Sequence, residues 1–458
     1  MRPTEALYGE GIVLSQALAV ASGQPLYPPL GQPPYAVTAY TPLYYLVVAL
    51  LTGLTGPSLV PGRLLSLAAF AVAALAIVLA VRPRVGWTWG LLAAFAFLAQ
   101  PAAMEWIGLH RVDSLALALA LGGLVVGARG RLLPAAALLM LSVMTKQTYL
   151  AAPAAMVAWL LLERRWWDAA LFCGAFLAPL ATVVLALDWA TGGSFLDHIV
   201  WANVNPYSAS LVLTWIGWAT TVAGPLFLAG LVGLAVLPRG WRLWKLYFVF
   251  NAPNVVALGK DGASFNYWLE PLAAASVLAA GTFALLFARR PRVALAGAMA
   301  VFLVVAPSAT SAAETARRGP ALAAADRPAV EWAIQMARET PGDVLSEDLA
   351  ITALAGKPLA FEYVIFSILW NEGRWREDEL IADLEAGRYP RLILLGDDDP
   401  LAGDCLCMPP PVWEALRANY RKVDQVGRYV LYEFVGTDGY TADTAERALD
   451  PEENVSDE

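Results

Sequence analysis

The sequence predicts a mainly α-helical, polytopic membrane bundle of about ten spanning segments. Interfacial helices are expected in its first outer loop, and a small α/β extracytoplasmic domain at its C-terminus. Three observations carry this. Of the 458 residues, 58% are hydrophobic and only 15% charged, more apolar material than a soluble core requires. Apolar runs follow one another from residue 60 to residue 306. The charge then changes character: residues 1–307 carry 17 basic and 10 acidic side chains, residues 308–458 carry 14 and 29. A slightly basic apolar body followed by an acidic polar part reads as membrane domain plus soluble domain, and the negative field of the latter argues against a nucleic-acid partner.

The expected domains are a first outer loop at 1–59, a membrane body at 60–307, a soluble α/β domain at 308–436 and an acidic disordered tail at 437–458. Candidate spans are 60–81, 87–104, 114–128, 132–145, 149–162, 167–187, 211–237, 243–258, 268–287 and 293–306. A helix needs roughly 20 residues to cross the hydrocarbon. Several of these runs are shorter, so they extend into the interface or pair as half-helices around a cavity. Runs 132–145 and 149–162, joined by Lys146-Gln147-Thr148, suit the half-helix description best.

The loops between these runs set the orientation. One alternating set holds Arg82, Arg84, Arg129, Arg131, Arg164, Arg165, Arg239, Arg242, Lys245, Arg289, Arg290 and Arg292; the other holds only Arg111, Lys146 and Lys260. The positive-inside rule puts the richer set in the cytoplasm. The N-terminal loop and the C-terminal domain then lie outside a cell (plasma or inner) membrane, and 41–55 is an interfacial helix, because a span there would invert every later loop. Exporting some 59 residues with no preceding helix is unusual, and points to a helix missing upstream of this start.

After residue 308 the pattern alternates strand and helix: strands at 343–346, 391–396 and 429–434, helices at 328–339, 377–385 and 412–420. Cys173 sits in an apolar run as a small core residue. Cys405 and Cys407 form a lone CxC with no further His or Cys nearby to complete a zinc site. They read as loop cysteines, a strained local disulfide being the alternative.

The chemistry gathers on the outer face. Glu10 opens a short helix-like run, and Asp113 closes His110-Arg111-Val112-Asp113. Lys146 and Lys260 end apolar runs beside hydrogen-bonding partners, Gln147 and Tyr149 for the first, Asn266 and Tyr267 for the second. Tyr8, Tyr27, Tyr35, Tyr40, Tyr44, Tyr45, Trp201 and Tyr207 supply aromatic surface. A carboxylate base, phosphate-sized cationic sites and aromatic platforms suit a sugar carried on a polyprenyl phosphate. The same residues also admit plainer roles: solvated loop carboxylates, an Arg111–Asp113 ion pair, interfacial belt aromatics and snorkelling lysines.

Five short motifs occur in a telling order: Gly9-Glu10-Gly11 with Ser22-Gly23-Gln24-Pro25-Leu26-Tyr27, then Tyr40-Thr41-Pro42-Leu43-Tyr44-Tyr45, Gly62-Arg63-Leu64-Leu65-Ser66, Arg111-Val112-Asp113-Ser114 and Met144-Thr145-Lys146-Gln147. In that order, over roughly residues 5–290, the chain resembles the GT-C superfamily, and within it the family-39-like branch of protein mannosyltransferases and aminoarabinose transferases. The resemblance implies a glycosyltransferase that takes its sugar from a polyprenyl-phosphate donor, with a lipid, glycan or protein acceptor, inverting the anomeric centre. It puts the acidic catalytic position of the first outer loop on Glu10, where the family more often has Asp or Asp-Glu, and the second acidic position on Asp113. Arg111, Lys146, Gln147, Lys260, Asn266 and Tyr267 are the expected donor-binding residues; Tyr44, Tyr45 and His110 are the expected acceptor or loop platform. The family's first helix has no counterpart here. Some members bind a divalent metal at the acidic loop, and no carboxylate cluster in this sequence decides that; no metal ligand is assigned.

Two other classes compete. A transporter or flippase would carry ionisable groups at mid-membrane and internal repeats, and the runs are nearly charge-free at their centres with no visible repeat. A non-catalytic membrane protein presenting a sensory domain would use such groups as Glu347-Asp348 or Asp397-Asp398-Asp399, which read more simply as solvated loops.

Overall fold

The computed structural model describes residues 4–396, 400–402 and 408–436. The Cys405–Cys407 pair, the Asp397–Asp399 run and the expected acidic tail lie outside the described residues. The chain divides into two compact units, one formed by 1–38, 49–59 and 319–458, the other by 39–48 and 60–318.

The second unit is entirely helical in its regular structure. Four helices are long and apolar enough to cross a membrane: Val60–Val85, Trp166–Ala190, Ala209–Val236 and Phe265–Arg289. Shorter apolar helices accompany them, Trp87–Leu98, Asp113–Ala128, Leu132–Thr145, Ala151–Leu162 and Pro291–Leu303. These make the chain an integral membrane protein.

Two expected runs are broken, each for a local reason. The run 87–104 stops at Leu98 and restarts as helix Pro101–Trp106, because proline is tolerated in the first turn but not in a helix interior. The run 243–258 becomes helix Arg242–Phe250 followed by the short helix Ala252–Val256. There Asn251 donates its side-chain amide to the Tyr247 carbonyl, and Pro253 opens the next turn. Helix Leu43–Thr55 has 13 residues. At about 1.5 Å per residue it falls well short of the ~30 Å hydrocarbon thickness.

Small residues let these helices approach closely, as membrane helix packing requires. A side chain at Gly123 would meet Leu139 at 2.7 Å, and one at Gly233 would meet the Thr282 hydroxyl at 2.7 Å. Thr41 donates to the Val143 carbonyl at 2.8 Å, tying the start of the 39–48 segment to helix Leu132–Thr145.

The first unit holds a four-stranded sheet: β1 Val344–Ser346, β2 Arg391–Leu395, β3 Tyr420–Val426 and β4 Tyr429–Phe434, in the order β1-β2-β4-β3. β1 runs parallel to β2; the other two pairings are antiparallel. The sheet core is Val330, Ala333, Ala337, Val344, Ile351, Ile393, Tyr429 and Leu431. β3 lies outside the expected strands because Tyr-Arg-Lys-Val-Asp-Gln-Val is a polar edge strand with no apolar alternation to mark it. The helix expected at 328–339 is the end of a 49-residue helix, Pro291–Glu339, which continues through Pro307.

The beginning of the chain belongs to this same unit. Helix Glu10–Ala21 packs Leu14 on Ala350 and Ala353, and Ile12 on Leu349 and Leu359. Gly11 lies directly on the backbone of Leu349 and Ala350. Tyr35 pairs as a β-bridge with Phe361, and the Val37 amide donates to Glu362 at 2.9 Å. Asp348 caps helix Leu349–Leu354 through the Ala350 amide, while its other oxygen accepts from Thr4 and from Tyr429, each at 2.8 Å.

Candidate active site

In the helical unit, the site is built where several helices end together. Asp113 is the first residue of helix Asp113–Ala128 and is fully buried. One carboxylate oxygen accepts from Lys146 Nζ at 2.5 Å and from Asn266 Nδ2 at 2.9 Å; the other accepts from Trp106 Nε1 at 3.0 Å. A carboxylate surrounded by three donors, one of them cationic, has its lone pairs engaged by the protein. That suits an anchor for Lys146 better than a group waiting to take a proton.

Lys146 follows helix Leu132–Thr145 in an extended conformation, which turns its side chain inward. It is buried to 2% exposure. Its ammonium sits among three rings, 5.0 Å from the centroid of Tyr267, 5.5 Å from Tyr40 and 5.9 Å from Tyr149, an aromatic surround that favours a cation. The Tyr149 hydroxyl donates to the Asp113 carbonyl at 3.1 Å. Gln147 donates to the carbonyls of Ala39 and Ile199, at 2.8 and 2.9 Å, and so fixes the segment that carries Tyr40.

Arg111 donates to the Tyr40 hydroxyl at 3.2 Å, closing the same group from the other side. His110 is buried against Gly62, where any side chain would run into the imidazole, and its ring lies 5.7 Å from that of Tyr44. Tyr44 and Tyr45 are themselves buried, so they are packing residues of this corner as well as expected platform residues.

Lys260 lies in the loop before Phe265–Arg289. That loop is clamped to 204–208: Ser208 donates to Gly259, Asp261 to Pro206, and Tyr207 bridges Lys260. Burial, with Lys146 as a second positive charge nearby, holds the Lys260 ammonium down at about 8.

A narrow pocket opens among Lys146, Tyr149, Asn254, Asn266, Tyr267 and Glu270. Glu270 was not among the residues singled out from the sequence, nor were Trp106, Tyr247 and Asn254. The available signal was a carboxylate in the first turn of an apolar helix, hidden because one acidic residue barely lowers the hydropathy of 268–287. Thus Asp113, Lys146, Asn266 and Tyr267 are brought together, Gln147 and Arg111 brace them, and Lys260 stands close enough to feel the charge of Lys146.

Glu10 belongs to the other unit. It is fully buried at the start of its helix, and its carboxylate accepts from the Ala6 amide at 2.6 Å. The neighbouring Glu5 accepts from the Gly11 amide at 3.0 Å. Among the described residues no three of His, Cys, Asp and Glu gather in a metal-binding arrangement.

No family model matches the sequence, and no curated protein matches it. Solved structures do. ArnT from Cupriavidus metallidurans bound to undecaprenyl phosphate superposes with a TM-score of 0.62 at 16% identity, over 95% of this chain and 94% of that one. Its apo form gives 0.64 at 16% identity, over 95% of each chain. The chain has the fold of ArnT. The archaeal oligosaccharyltransferase AglB from Archaeoglobus fulgidus, in complex with an inhibitory peptide and a dolichol-phosphate, is a more distant likeness. Its TM-score is 0.52 at 11% identity, covering 95% of this chain and 71% of that one. At these identities the likeness establishes the fold, and the chemistry has to be argued from the residues.

Proposed function

We propose that this protein is an integral-membrane glycosyltransferase that moves a sugar from a polyprenyl-phosphate donor to a lipid, glycan or protein acceptor on the outer face of the membrane. The observation that carries the reading is Lys146: a buried ammonium, held by Asp113, which Asn266 in turn braces, and caged by tyrosines, at the wall of a polar pocket. Two structures of this fold, ArnT and AglB, hold undecaprenyl phosphate and a dolichol-phosphate respectively. A lipid phosphate is the ligand for which a fixed cation at the end of a helix bundle is suited.

In this reading Lys146 and Lys260 receive the phosphate, with Arg111, Gln147, Asn266 and Tyr267 holding or bracing the donor. The reaction is a direct displacement. A carboxylate removes the acceptor hydroxyl proton as the oxygen attacks the anomeric carbon; the bond to the phosphate oxygen breaks with inversion, and polyprenyl phosphate departs as an anion. Cations already in place stabilise that anion without a strong general acid. The base is assigned to Glu10 from the sequence resemblance, and Asp113 serves by fixing Lys146. The distribution of basic loops supports an outer location for the site and the C-terminal domain.

Binding of undecaprenyl phosphate to the purified protein tests the donor assignment. Wild type should bind it, and Lys146→Met should weaken binding by at least about tenfold, the scale of one charge-assisted hydrogen bond. Equal binding by both would remove Lys146 from the donor site.

A further inference from the structure

Among the described residues of the helical unit, Glu270 is the buried acidic group that the proposed mechanism leaves unused. It is 3% exposed, in the first turn of the helix that begins at Leu269. Tyr247 donates to one oxygen and Asn254 to the other, each at 3.1 Å, and Asn254 is also held by Asn251 at 3.0 Å. No described ion pair includes Glu270. Keeping a carboxylate buried in a membrane body with only neutral partners is unfavourable, and such groups are kept for ligands more often than for packing.

Each carboxylate oxygen can accept two hydrogen bonds, and each of these oxygens has one. The remaining capacity lines the same pocket as Lys146, Asn266 and Tyr267, a pocket with room for about one water-sized group. The occupant must therefore be a single small substituent rather than a ring. Lys146 across the pocket disfavours a second cation. A hydroxyl fits, since it donates to Glu270 while accepting from an amide or ammonium opposite.

We propose that Glu270, clamped by Tyr247 and Asn254, accepts a hydrogen bond from one hydroxyl of the donor's sugar and so helps to determine which sugar is taken. The proposal rests on the donor reading above.

The test uses the full-length protein in lipid nanodiscs. The probes are undecaprenyl phosphate alone and undecaprenyl phosphate carrying glucose, galactose, mannose or arabinose. Wild type should distinguish among the sugars. Glu270→Gln should compress that discrimination by about 10- to 100-fold, the range of a hydrogen bond to a charged acceptor, while binding the bare lipid phosphate within about twofold of wild type. Tyr247→Phe, which keeps the carboxylate and removes one clamp, should lose part of the same discrimination and guards against a folding defect in the first variant. Discrimination untouched by Glu270→Gln, or an equal loss for the bare lipid phosphate, overturns the proposal. So does a wild type that binds the bare lipid phosphate but treats all four sugars alike, which leaves the donor reading standing. A wild type that binds none of the probes fails the donor reading itself, and the proposal with it.

Discussion

Removing the negative partner of Lys146 should damage the protein more than removing both charges. Asp113→Asn keeps the side-chain shape but leaves a buried ammonium without its ion-pair partner. Breaking one side of a buried pair costs about 3–5 kcal/mol, a large share of a typical stability of about 5–15 kcal/mol. Adding Lys146→Met removes the stranded charge and replaces it with an apolar chain of similar length. At roughly 2 °C per kcal/mol for a chain of this size or larger, Asp113→Asn should lower the midpoint by about 6–10 °C. The double variant should recover at least about 2 kcal/mol of that loss, a coupling within the range for residues in direct contact. Thermal unfolding in detergent, followed by tryptophan fluorescence, measures both. Strictly additive losses in the double variant would refute the buried ion pair on which the donor site is built.

Other consequences are open to measurement. Lys260 is cationic below about 8 and neutral above it, so undecaprenyl phosphate affinity should be full below that pH and fall as pH rises through it; Lys260→Arg should flatten the profile, and an unchanged slope would count against Lys260 as a phosphate ligand. Gly11→Ala places a methyl group against the backbone of Leu349 and Ala350, where nothing flexible can yield, so it should destabilise the sheet-bearing unit by about 1–3 kcal/mol, read as faster proteolysis of the C-terminal domain; wild-type resistance would contradict the packing. A cysteine at Arg129 in an otherwise cysteine-free chain should resist an impermeant thiol reagent added outside the cell, and labelling would invert the proposed topology.

The membrane body was legible because apolar runs and loop charges are bulk properties that survive without tertiary knowledge. Asp113 and Lys146, 33 positions apart, could be placed on one face because each ends an apolar run on the same side. Their direct pairing, and the saturation of Asp113 by Trp106 and Asn266, depend on helix packing that no local pattern records. Glu270 stayed hidden for the same reason: its partners Tyr247 and Asn254 are 23 and 16 positions away, on the far side of the loop at 260–264. The docking of Glu10–Ala21 on Leu349–Leu354 left no mark either. That helix is apolar nearly all round, so its sequence does not say which face meets a partner more than 300 residues downstream.

The central claim is transfer itself. Purified full-length protein, given polyprenyl phosphates carrying labelled sugars and a membrane extract as acceptor source, should release polyprenyl phosphate and label an acceptor. Glu10→Gln should cut that turnover by about 10²–10⁴-fold, the range for a lost general base, while undecaprenyl phosphate still binds. Turnover unchanged in Glu10→Gln would remove the proposed base, and no transfer by wild type from any donor that it binds would contradict the glycosyltransferase assignment.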